Sequence, residues 1–580
     1  MQIQVGTDDF SYVRAKNLKF VDKTLFIKEI FDNDGTRVTL ITRPRRFGKT
    51  FNLSTLHNFL ASEVGNRKTA GLFDGLKIST VDNGHYMQYQ GKYPVIFISF
   101  KDANNKKFDE VIASLGALMQ ETFRNYSYLQ HSNKLSQELK DLFVVYLKDK
   151  DRLIADLGTS LQFLCELLFK HHDVMPWLLI DEYDTPIQSG YLNNYYNEIT
   201  NLMSAMFGAA LKTNLYIDRT VMTGILRVAQ ASLFSGLNNV NVYSILNSKY
   251  SEHFGFTESE VHDLLQEEGL HNKEDEVRSW YNGYIFGGTT VYNPWSMGNY
   301  VKKKGLLRAY WVNTSGDHLI RSLLSDSDDS IKIRKQFDAL LKGEDVIQEI
   351  DENIVFGDLK TNSLATLSLL LMAGYLKVVS FKINEYDETI CNCAIPNKEV
   401  QILYRKMITS WLSVNDDSGS WYRKFLGSLL IGDIDNFKDN FGQVLSKIVS
   451  VHDTARNSEN FYHGFMLGLT ASLEPDEYEV KSNKESGFGR YDLVIFPKDI
   501  TKYAVIFEFK SIVVKPSKEG LTESLETKLE QGAQEALAQI NDKQYIVEAE
   551  YRGLKNIIKI GIAFHGRSFS LASEGGISNL

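Results

Sequence analysis

The chain has 580 residues, of which 43% are hydrophobic and 24% are charged. This length exceeds what one hydrophobic core supports and predicts about three domains, while the composition excludes a largely disordered chain. The net charge of −9 excludes a protein that coats nucleic acid with a generally basic surface.

No segment predicts export or membrane insertion. Residues 1–9 lack a basic region followed by an apolar stretch, so we expect no signal peptide. The longest apolar run, around residues 364–376, is shorter than the roughly 18 residues that span a bilayer. Cys165, Cys391 and Cys393 suit structural thiols in a reducing compartment better than a disulfide framework. We therefore expect a cytoplasmic protein with no membrane segment.

The first motif that carries chemistry follows a short apolar run. Residues 38–42 read as a buried strand, and residues 51–60 carry apolar side chains at helical spacing. Between them, residues 43–50 read R-P-R-R-F-G-K-T, and strand, loop and helix in this order predict a phosphate-binding loop. Lys49 would bridge the β and γ phosphates, and the Thr50 hydroxyl would hold Mg²⁺. ATP and Mg²⁺ are therefore the predicted cofactors.

The loop departs from the usual G-x-x-x-x-G-K-T pattern. Arg43 stands five residues before Gly48, where the first glycine is expected, and Pro44 stiffens the loop. Taken alone, the segment is also compatible with a basic surface turn. The residues predicted to contact nucleotide here are Arg46, Phe47, Gly48, Lys49, Thr50 and Phe51.

A second buried-strand run, residues 177–180, ends in two carboxylates, Asp181 and Glu182. A carboxylate at the C-terminal end of a strand is placed to orient a phosphate-bound metal, so Asp181 is predicted as a magnesium ligand. Glu182 is predicted to polarise the water that attacks the γ-phosphate. The alternative is an ordinary acidic loop after a core strand, which the presence of the Lys49 loop disfavours.

Two more strands, at residues 95–100 and 220–224, fit the same sheet. An extra strand between the phosphate loop and the acidic strand is the arrangement of the catalytic-glutamate class of P-loop ATPases. Thr223 would then be a polar sensor at a strand end, and Arg227 would stabilise charge in the transition state. A surface or salt-bridged role for Arg227 is an equal alternative. An arginine supplied by a neighbouring subunit would require an oligomer.

Three stretches carry a specific resemblance. Residues 20–24 read F-V-D-K-T, residues 43–50 contain the phosphate loop, and residues 181–187 read D-E-Y-D-T-P-I. Together they resemble the predicted AAA-ATPase-like family of bacterial proteins. That family tolerates arginine in place of the first loop glycine. The resemblance implies an ATPase joined to a C-terminal PD-(D/E)XK nuclease-like domain, and it implies that residues 20–23 help to bind the nucleotide.

The middle of the chain, residues 252–423, predicts a mostly helical lid and connector. Thr257 is a predicted helix N-cap, with Glu260 three residues later. Aromatic clusters at residues 280–284 and 291–296 favour core or lid packing over base stacking, because no basic run accompanies them.

A second catalytic pattern lies near the C-terminus. Residues 490–496 and 503–510 read as two strands joined by a short turn, with Asp492 on the first and Glu508 and Lys510 on the second. The two-residue period of a strand places Glu508 and Lys510 on one face, where Asp492 can meet them. Two carboxylates that bind Mg²⁺ and a lysine that positions or deprotonates water are what a nuclease requires. A salt-bridged edge strand is the structural alternative.

Two further residues complete this predicted site. Glu459, on a predicted helix upstream, would add a third metal carboxylate. The resemblance to PD-(D/E)XK-like domains, over roughly residues 457–564, implies a glutamine that approaches the site from the helix of residues 530–545. Gln539 is the candidate for that glutamine.

The fold class predicted is α/β. It comprises a P-loop NTPase parallel sheet of the catalytic-glutamate class at residues 1–250, a helical lid and connector at residues 251–440, and an α/β PD-(D/E)XK nuclease-like domain at residues 441–580. We predict that nucleotide binding or hydrolysis controls a Mg²⁺-dependent nuclease acting on DNA or RNA. The alternative is a nucleotide-dependent switch that recruits a protein partner through a catalytically silent nuclease-like domain, which the negative charge favours modestly.

Overall fold

A computed structural model describes residues 4–576, apart from positions 34, 213, 229–239, 312–335, 337–338, 341–344, 355, 357–358, 360–362, 405–419, 449–465, 467–469, 471–472, 474–476, 487–488, 513–523 and 566–567. The chain forms two compact units. The first comprises Met1–Ser330 with Gly343–Gln401, and the second comprises Ile331–Lys342 with Ile402–Leu580. The division into three domains remains a prediction.

A five-stranded parallel sheet is the centre of the first unit. Its strands are β1 (Val38–Thr42), β2 (Val95–Ser99), β3 (Trp177–Asp181), β4 (Thr220–Gly224) and β5 (Val240–Tyr243). Their spatial order is β2-β3-β4-β1-β5, so β4 separates the strand of the phosphate loop from the strand of the carboxylates. Strands β1, β3 and β4 are buried along their whole length, which explains their near-continuous apolar sequences.

Helices surround this sheet. The helix that follows the phosphate loop, α1 (Lys49–Leu60), packs its apolar residues on one face of the sheet, in a core that includes Ile41, Leu179 and Val221. The other main helices of this part of the chain are Phe10–Ala15, Leu25–Phe31, Phe108–Arg124, Gln137–Lys148, Lys150–Ala155, Leu157–His172, Thr185–Leu192 and Tyr196–Phe207.

The middle of the chain contains strands as well as helices. Its helices are Glu258–Glu267, Glu274–Tyr281, Pro294–Lys302 and Ser363–Met372. One antiparallel sheet joins Tyr284–Phe286, Thr289–Tyr292 and Phe256–Thr257, and another joins Val346–Glu349, Thr389–Ala394 and Lys377–Ile383. The sequence predicted mostly helix here, because four of these six strands span only two to four residues and leave no readable period. Thr257 and Glu260 form the capping box that the sequence indicated.

The second unit is built on a five-stranded mixed sheet. Its strands, in spatial and chain order, are β6 (Tyr478–Ser486), β7 (Gly489–Pro497), β8 (Ala504–Ser511), β9 (Ile557–His565) and β10 (Ser568–Glu574). Strands β8 and β9 are parallel, and the crossover between them contains α2 (Leu525–Asp542). Helices Ser420–Leu430 and Ile434–Ile448 supply Phe425, Phe437 and Phe441 to the core on one face of this sheet. The expected α/β class is confirmed in both units.

Among the described residues, no helix is long and apolar enough to cross a membrane. The three cysteines are buried and form no disulfide, as the sequence predicted.

Candidate nucleotide and nuclease sites

The phosphate loop connects β1 to α1 at the C-terminal edge of the parallel sheet. Gly48 caps the helix with a left-handed backbone (φ 85°), a conformation that favours glycine. Lys49 and Thr50 are therefore the first two residues of the helix, whose free N–H groups point out of the same end. The structure thus brings together strand, loop and helix as the sequence predicted.

Lys49 is buried and bonded within its own loop. Its ammonium donates hydrogen bonds to the carbonyls of Arg43, at 3.0 Å, and Pro44, at 2.9 Å. Burial lowers the pKa of Lys49, and attraction to the carboxylates of Glu182 and Asp181 opposes that change. The loop curls around the ammonium, and this brings the charge next to the helix N-terminus.

Asp181 joins the phosphate loop to the neighbouring strand. Its carboxylate accepts hydrogen bonds from the Thr50 hydroxyl, at 2.7 Å, and from the Thr223 hydroxyl, at 2.6 Å. Hydroxyl and carboxylate oxygens are the ligands that Mg²⁺ prefers, and here one of each lies side by side. Thr50 and Asp181 therefore fit the predicted magnesium site, and Thr223 is placed beside it at the end of β4.

Glu182 follows Asp181 in an unusual backbone conformation. Its φ of 51° lies in the left-handed region, which costs a non-glycine residue free energy and tends to mark functional positions. Thr185 donates a hydrogen bond to its carboxylate at 3.2 Å. Burial raises the pKa of Glu182, while attraction to Lys49 opposes the shift. A carboxylate with a raised pKa beside a phosphate loop is suited to accept a proton from water.

Arg43 occupies the place of the missing glycine, and its side chain points away from the rest of the phosphate loop. Its guanidinium is fully buried and donates to the carbonyls of Thr42 at 2.8 Å, Tyr243 at 3.0 Å and Ser244 at 2.8 Å. Two aromatic rings, Phe254 and Phe286, lie 5.4 and 5.3 Å from it. Burial lowers its pKa to about 9. The side chain therefore points into the protein and ties the loop to the segment after β5.

The remaining loop side chains pack against aromatic residues. The exposed Arg46 guanidinium lies 4.4 Å from the Trp295 ring. Phe47 is buried against Tyr284 and Phe286, with ring centroids 4.9 and 5.1 Å away. Because its ring is in the core, we expect any contact between Phe47 and nucleotide to use its backbone N–H.

Phe51 and Arg227 lie at the borders of this site. Phe51 packs on Phe10 and Phe20, each at 6.0 Å between centroids. Arg227 begins a short strand, Arg227–Val228, three residues after β4 ends, and is half-buried. The nucleotide contacts predicted for both residues remain predictions.

The predicted nuclease residues lie on adjacent strands of the second unit. Leu493 on β7 faces Phe507 on β8, so Asp492 and Glu508 are the next facing positions along this register. Asp492 accepts a hydrogen bond from the backbone N–H of Phe509 at 2.7 Å. Asp492 and Glu508 therefore lie on adjacent strands, as the sequence predicted.

Helix α2 contacts both predicted catalytic residues of β8. Gln539 donates a hydrogen bond to the buried carboxylate of Glu508, as expected for the glutamine of this fold. Lys510 forms an ion pair with Glu535 at 3.5 Å. No sequence pattern singled out Glu535, although it stands four residues before Gln539 and thus on the same helix face.

The magnesium assignment in this unit rests on two carboxylates. Within the part of the chain that the structure describes, no group of three or more His, Cys, Asp or Glu side chains could hold a metal ion. Glu459, the predicted third ligand, lies outside the described residues. Asp492 and Glu508 supply oxygen ligands of the kind that Mg²⁺ requires, so the residues fit a site that water or substrate completes.

Comparisons with known proteins match the regions of the chain that contain the two predicted sites. The family described as "Predicted AAA-ATPase" matches residues 4–234, and the PD-(D/E)XK nuclease superfamily matches residues 457–574. The protein described as "Uncharacterized protein in vnfD 5'region", from Azotobacter chroococcum mcd 1, is 25% identical over 587 residues, and the alignment covers 98% of each chain. The predicted combination of an ATPase-like region and a nuclease-like region is thereby confirmed.

Proposed function

We propose that this chain, with its ATPase-like and nuclease-like regions, binds and hydrolyses ATP and uses its nucleotide state to control a Mg²⁺-dependent nuclease acting on DNA or RNA. The observation that carries the ATPase half is the hydrogen bond between Thr50 and Asp181 beside the buried Lys49. The nuclease half is supported by the facing positions of Asp492 and Glu508 next to Lys510.

Each residue of the nucleotide site has a role in phosphoryl transfer. Lys49 leaves the loop carbonyls and binds the β and γ phosphates, while the N–H groups at the start of α1 bind phosphate oxygens. Thr50 and Asp181 hold Mg²⁺, which when bound neutralises charge on these phosphates. Glu182 orients a water molecule and accepts its proton as the water attacks the γ-phosphate.

The nuclease site uses the same kind of chemistry on a phosphodiester. Asp492 and Glu508 hold Mg²⁺, which when bound polarises the scissile phosphate. Gln539 fixes the orientation of the Glu508 carboxylate. Lys510 positions or deprotonates the attacking water, for which it must leave its ion pair with Glu535.

A nucleotide-dependent switch is the second candidate function. It is favoured by the protein groups that already contact the C-terminal site: Asp492 accepts the Phe509 N–H, and Lys510 pairs with Glu535. In this reading the ATPase half cycles slowly, and the nuclease-like half binds a protein partner without cutting nucleic acid. A buried carboxylate, Glu508, and a half-buried one, Asp492, arranged with a lysine are more than a binding surface requires, so we favour the nuclease.

The test is cleavage of labelled single- and double-stranded DNA and RNA with Mg²⁺ or Mn²⁺, with and without ATP. Lys510→Ala should abolish cleavage, whereas the matched variant Lys555→Ala, at an exposed lysine of the same unit, should cleave as the wild type does. No cleavage of any substrate by a folded wild type that binds ATP would favour the switch.

A further inference from the structure

The two residues between β4 and Arg227 are hydrogen-bonded to Tyr183 and Asp184, which follow β3 in the chain. The backbone N–H groups of Ile225 and Leu226 donate to one carboxylate oxygen of Asp184, at 2.8 and 3.1 Å. The hydroxyl of Tyr183 donates to the carbonyl of Leu226 at 2.6 Å. The N–H of Tyr183 also donates to the carbonyl of Thr223, at 3.3 Å. The first three of these hydrogen bonds fix the two residues that precede Arg227, and the fourth fixes Thr223.

This connection lies in the interior of the protein. Tyr183 and Asp184 are both buried. Burial raises the pKa of Asp184, and the two N–H groups that it accepts oppose the shift. A Cβ atom on Gly224 would lie 2.6 Å from the Tyr183 ring, so the strand end and the tyrosine are in close contact. These contacts restrain the Ile225–Leu226 backbone.

Arg227 begins where this connection ends. Its side chain is half-buried, and among the residues that the structure describes no ion pair or hydrogen bond engages its guanidinium. The end of β4 lies at the edge of the sheet where the magnesium site is predicted. There the Thr223 hydroxyl donates a hydrogen bond to Asp181, and Gly224 is paired with Thr42 at the start of the phosphate loop. A half-buried cation at this edge is placed to meet an incoming anion.

We propose that Asp184 and Tyr183 are positioning residues, which hold the Ile225–Leu226 backbone so that Arg227 reaches the γ-phosphate in the transition state of ATP hydrolysis. This inference rests on the proposed ATPase function and adds a source for the stabilising cation within the same chain. It also gives a role to the second half of the D-E-Y-D motif. In the proposed function, the first two residues of the motif act on metal and water, while Tyr183 and Asp184 act by positioning Arg227.

The alternative is that these hydrogen bonds only join two strands. A role of that kind would alter stability, and would change hydrolysis by the same factor whether or not Arg227 is present. A positioning role predicts a different pattern, in which the loss from the tyrosine or aspartate variant disappears once Arg227 has been removed.

The experiment is a double-variant cycle on the full chain, with ATP affinity and steady-state hydrolysis measured separately. Arg227→Ala should lower kcat about 100-fold or more. Asp184→Ala should approach that value, and Tyr183→Phe should lower kcat about fivefold, with the KM for ATP nearly unchanged in all three. Arg227→Ala combined with Tyr183→Phe or Asp184→Ala should be no slower than Arg227→Ala alone.

Tyr126→Phe is the matched control, because that tyrosine hydroxyl also donates to a backbone carbonyl, that of Val95, at the opposite end of the sheet. It should hydrolyse ATP at the wild-type rate. If Asp184→Ala does not fold, the cycle of Tyr183→Phe with Arg227→Ala decides the question. Losses that multiply in the double variants, or wild-type hydrolysis by Arg227→Ala, would overturn the inference alone, whereas a wild type without ATP hydrolysis would overturn the proposed function.

Discussion

Buried charges are concentrated around the phosphate loop. Lys49, Asp181 and Asp184 are buried and Glu182 is largely so, and all four come from the loop or from the end of β3. Charges are costly to bury unless they are paired, so such a cluster marks a site that uses them. Removing one member should therefore affect binding or chemistry more than the removal of an exposed charge.

Lys49→Ala should reduce ATP affinity about 100-fold or more, because the charge that meets the β and γ phosphates is lost. Affinity can be measured by calorimetric titration of the full chain with Mg²⁺ and ATP. The exposed Lys16 offers a control, since Lys16→Ala should bind as tightly as the wild type. Unchanged affinity in Lys49→Ala would remove this segment as the phosphate loop.

Glu182→Gln should bind ATP normally and hydrolyse it about 100-fold more slowly, because the amide cannot accept a proton from water. A base works when deprotonated, and burial raises the pKa of Glu182. Wild-type hydrolysis should therefore decline on acidification at a higher pH than an ordinary glutamate would give. The variant should lose this pH dependence. Normal turnover by Glu182→Gln would exclude the proposed role.

At the scale of the elements, the β1–loop–α1 connection combines a standard helix start with an unusual anchor. Gly48, Lys49 and Thr50 are arranged as a phosphate loop requires. The Arg43 side chain instead anchors the loop to the ends of two adjacent strands. It donates hydrogen bonds to a carbonyl at the end of β1 and to two carbonyls at and just after the end of β5. Arginine in place of the first glycine therefore changes how the loop is anchored, while Gly48, Lys49 and Thr50 keep the arrangement of a phosphate loop.

Arg43→Gly restores the usual pattern and should nevertheless lower the free energy of unfolding by about 3 kcal/mol, because several buried carbonyls lose their donor. Arg46→Gly is the matched control: Arg46 is exposed with a φ of 69°, a conformation that glycine adopts without strain. The thermal midpoint should fall for the first variant and change little for the second. Equal midpoints would mean that Arg43 is not an anchor.

Sequence patterns predicted the elements better than their long-range contacts. The apolar run before R-P-R-R-F-G-K-T predicted β1, and the strand patterns near the C-terminus predicted that Asp492 and Glu508 lie on adjacent strands. The destination of Arg43 could not be predicted, because its acceptors at positions 243 and 244 are about 200 residues away. The role of Asp184 was hidden for the same reason, since its partners are backbone N–H groups 41 and 42 residues later.

At the scale of the molecule, the chain contains two compact units, and each has its own sheet with carboxylates near strand ends. Each predicted site lies wholly within one unit: Lys49 and Glu182 in the first, Glu508 and Lys510 in the second. A substitution that removes one activity should therefore leave the fold of the other unit intact.

Lys510→Ala should keep wild-type ATP hydrolysis while losing nucleic-acid cleavage, because its site shares no residue with the nucleotide site. Lys49→Ala should lose the response of cleavage to ATP. The measurement is ATP turnover and cleavage on the same preparations, with Lys555→Ala as the control that retains both. Cleavage by Lys49→Ala that still responds to ATP would contradict control through this site.

If the proposed ATPase function holds, the carbonyls of Arg43 and Pro44 that accept hydrogen bonds from the Lys49 ammonium also affect how nucleotide binds. A loop closed around its own lysine keeps its curvature between turnovers, so capture of ATP does not wait for a disordered segment to fold. When ATP binds, its phosphate oxygens would replace the peptide oxygens as hydrogen-bond acceptors of the Lys49 ammonium. The ammonium would therefore keep acceptors throughout the exchange. When ADP leaves, the same peptide oxygens would bind the Lys49 ammonium again, so they would compete with ADP for it.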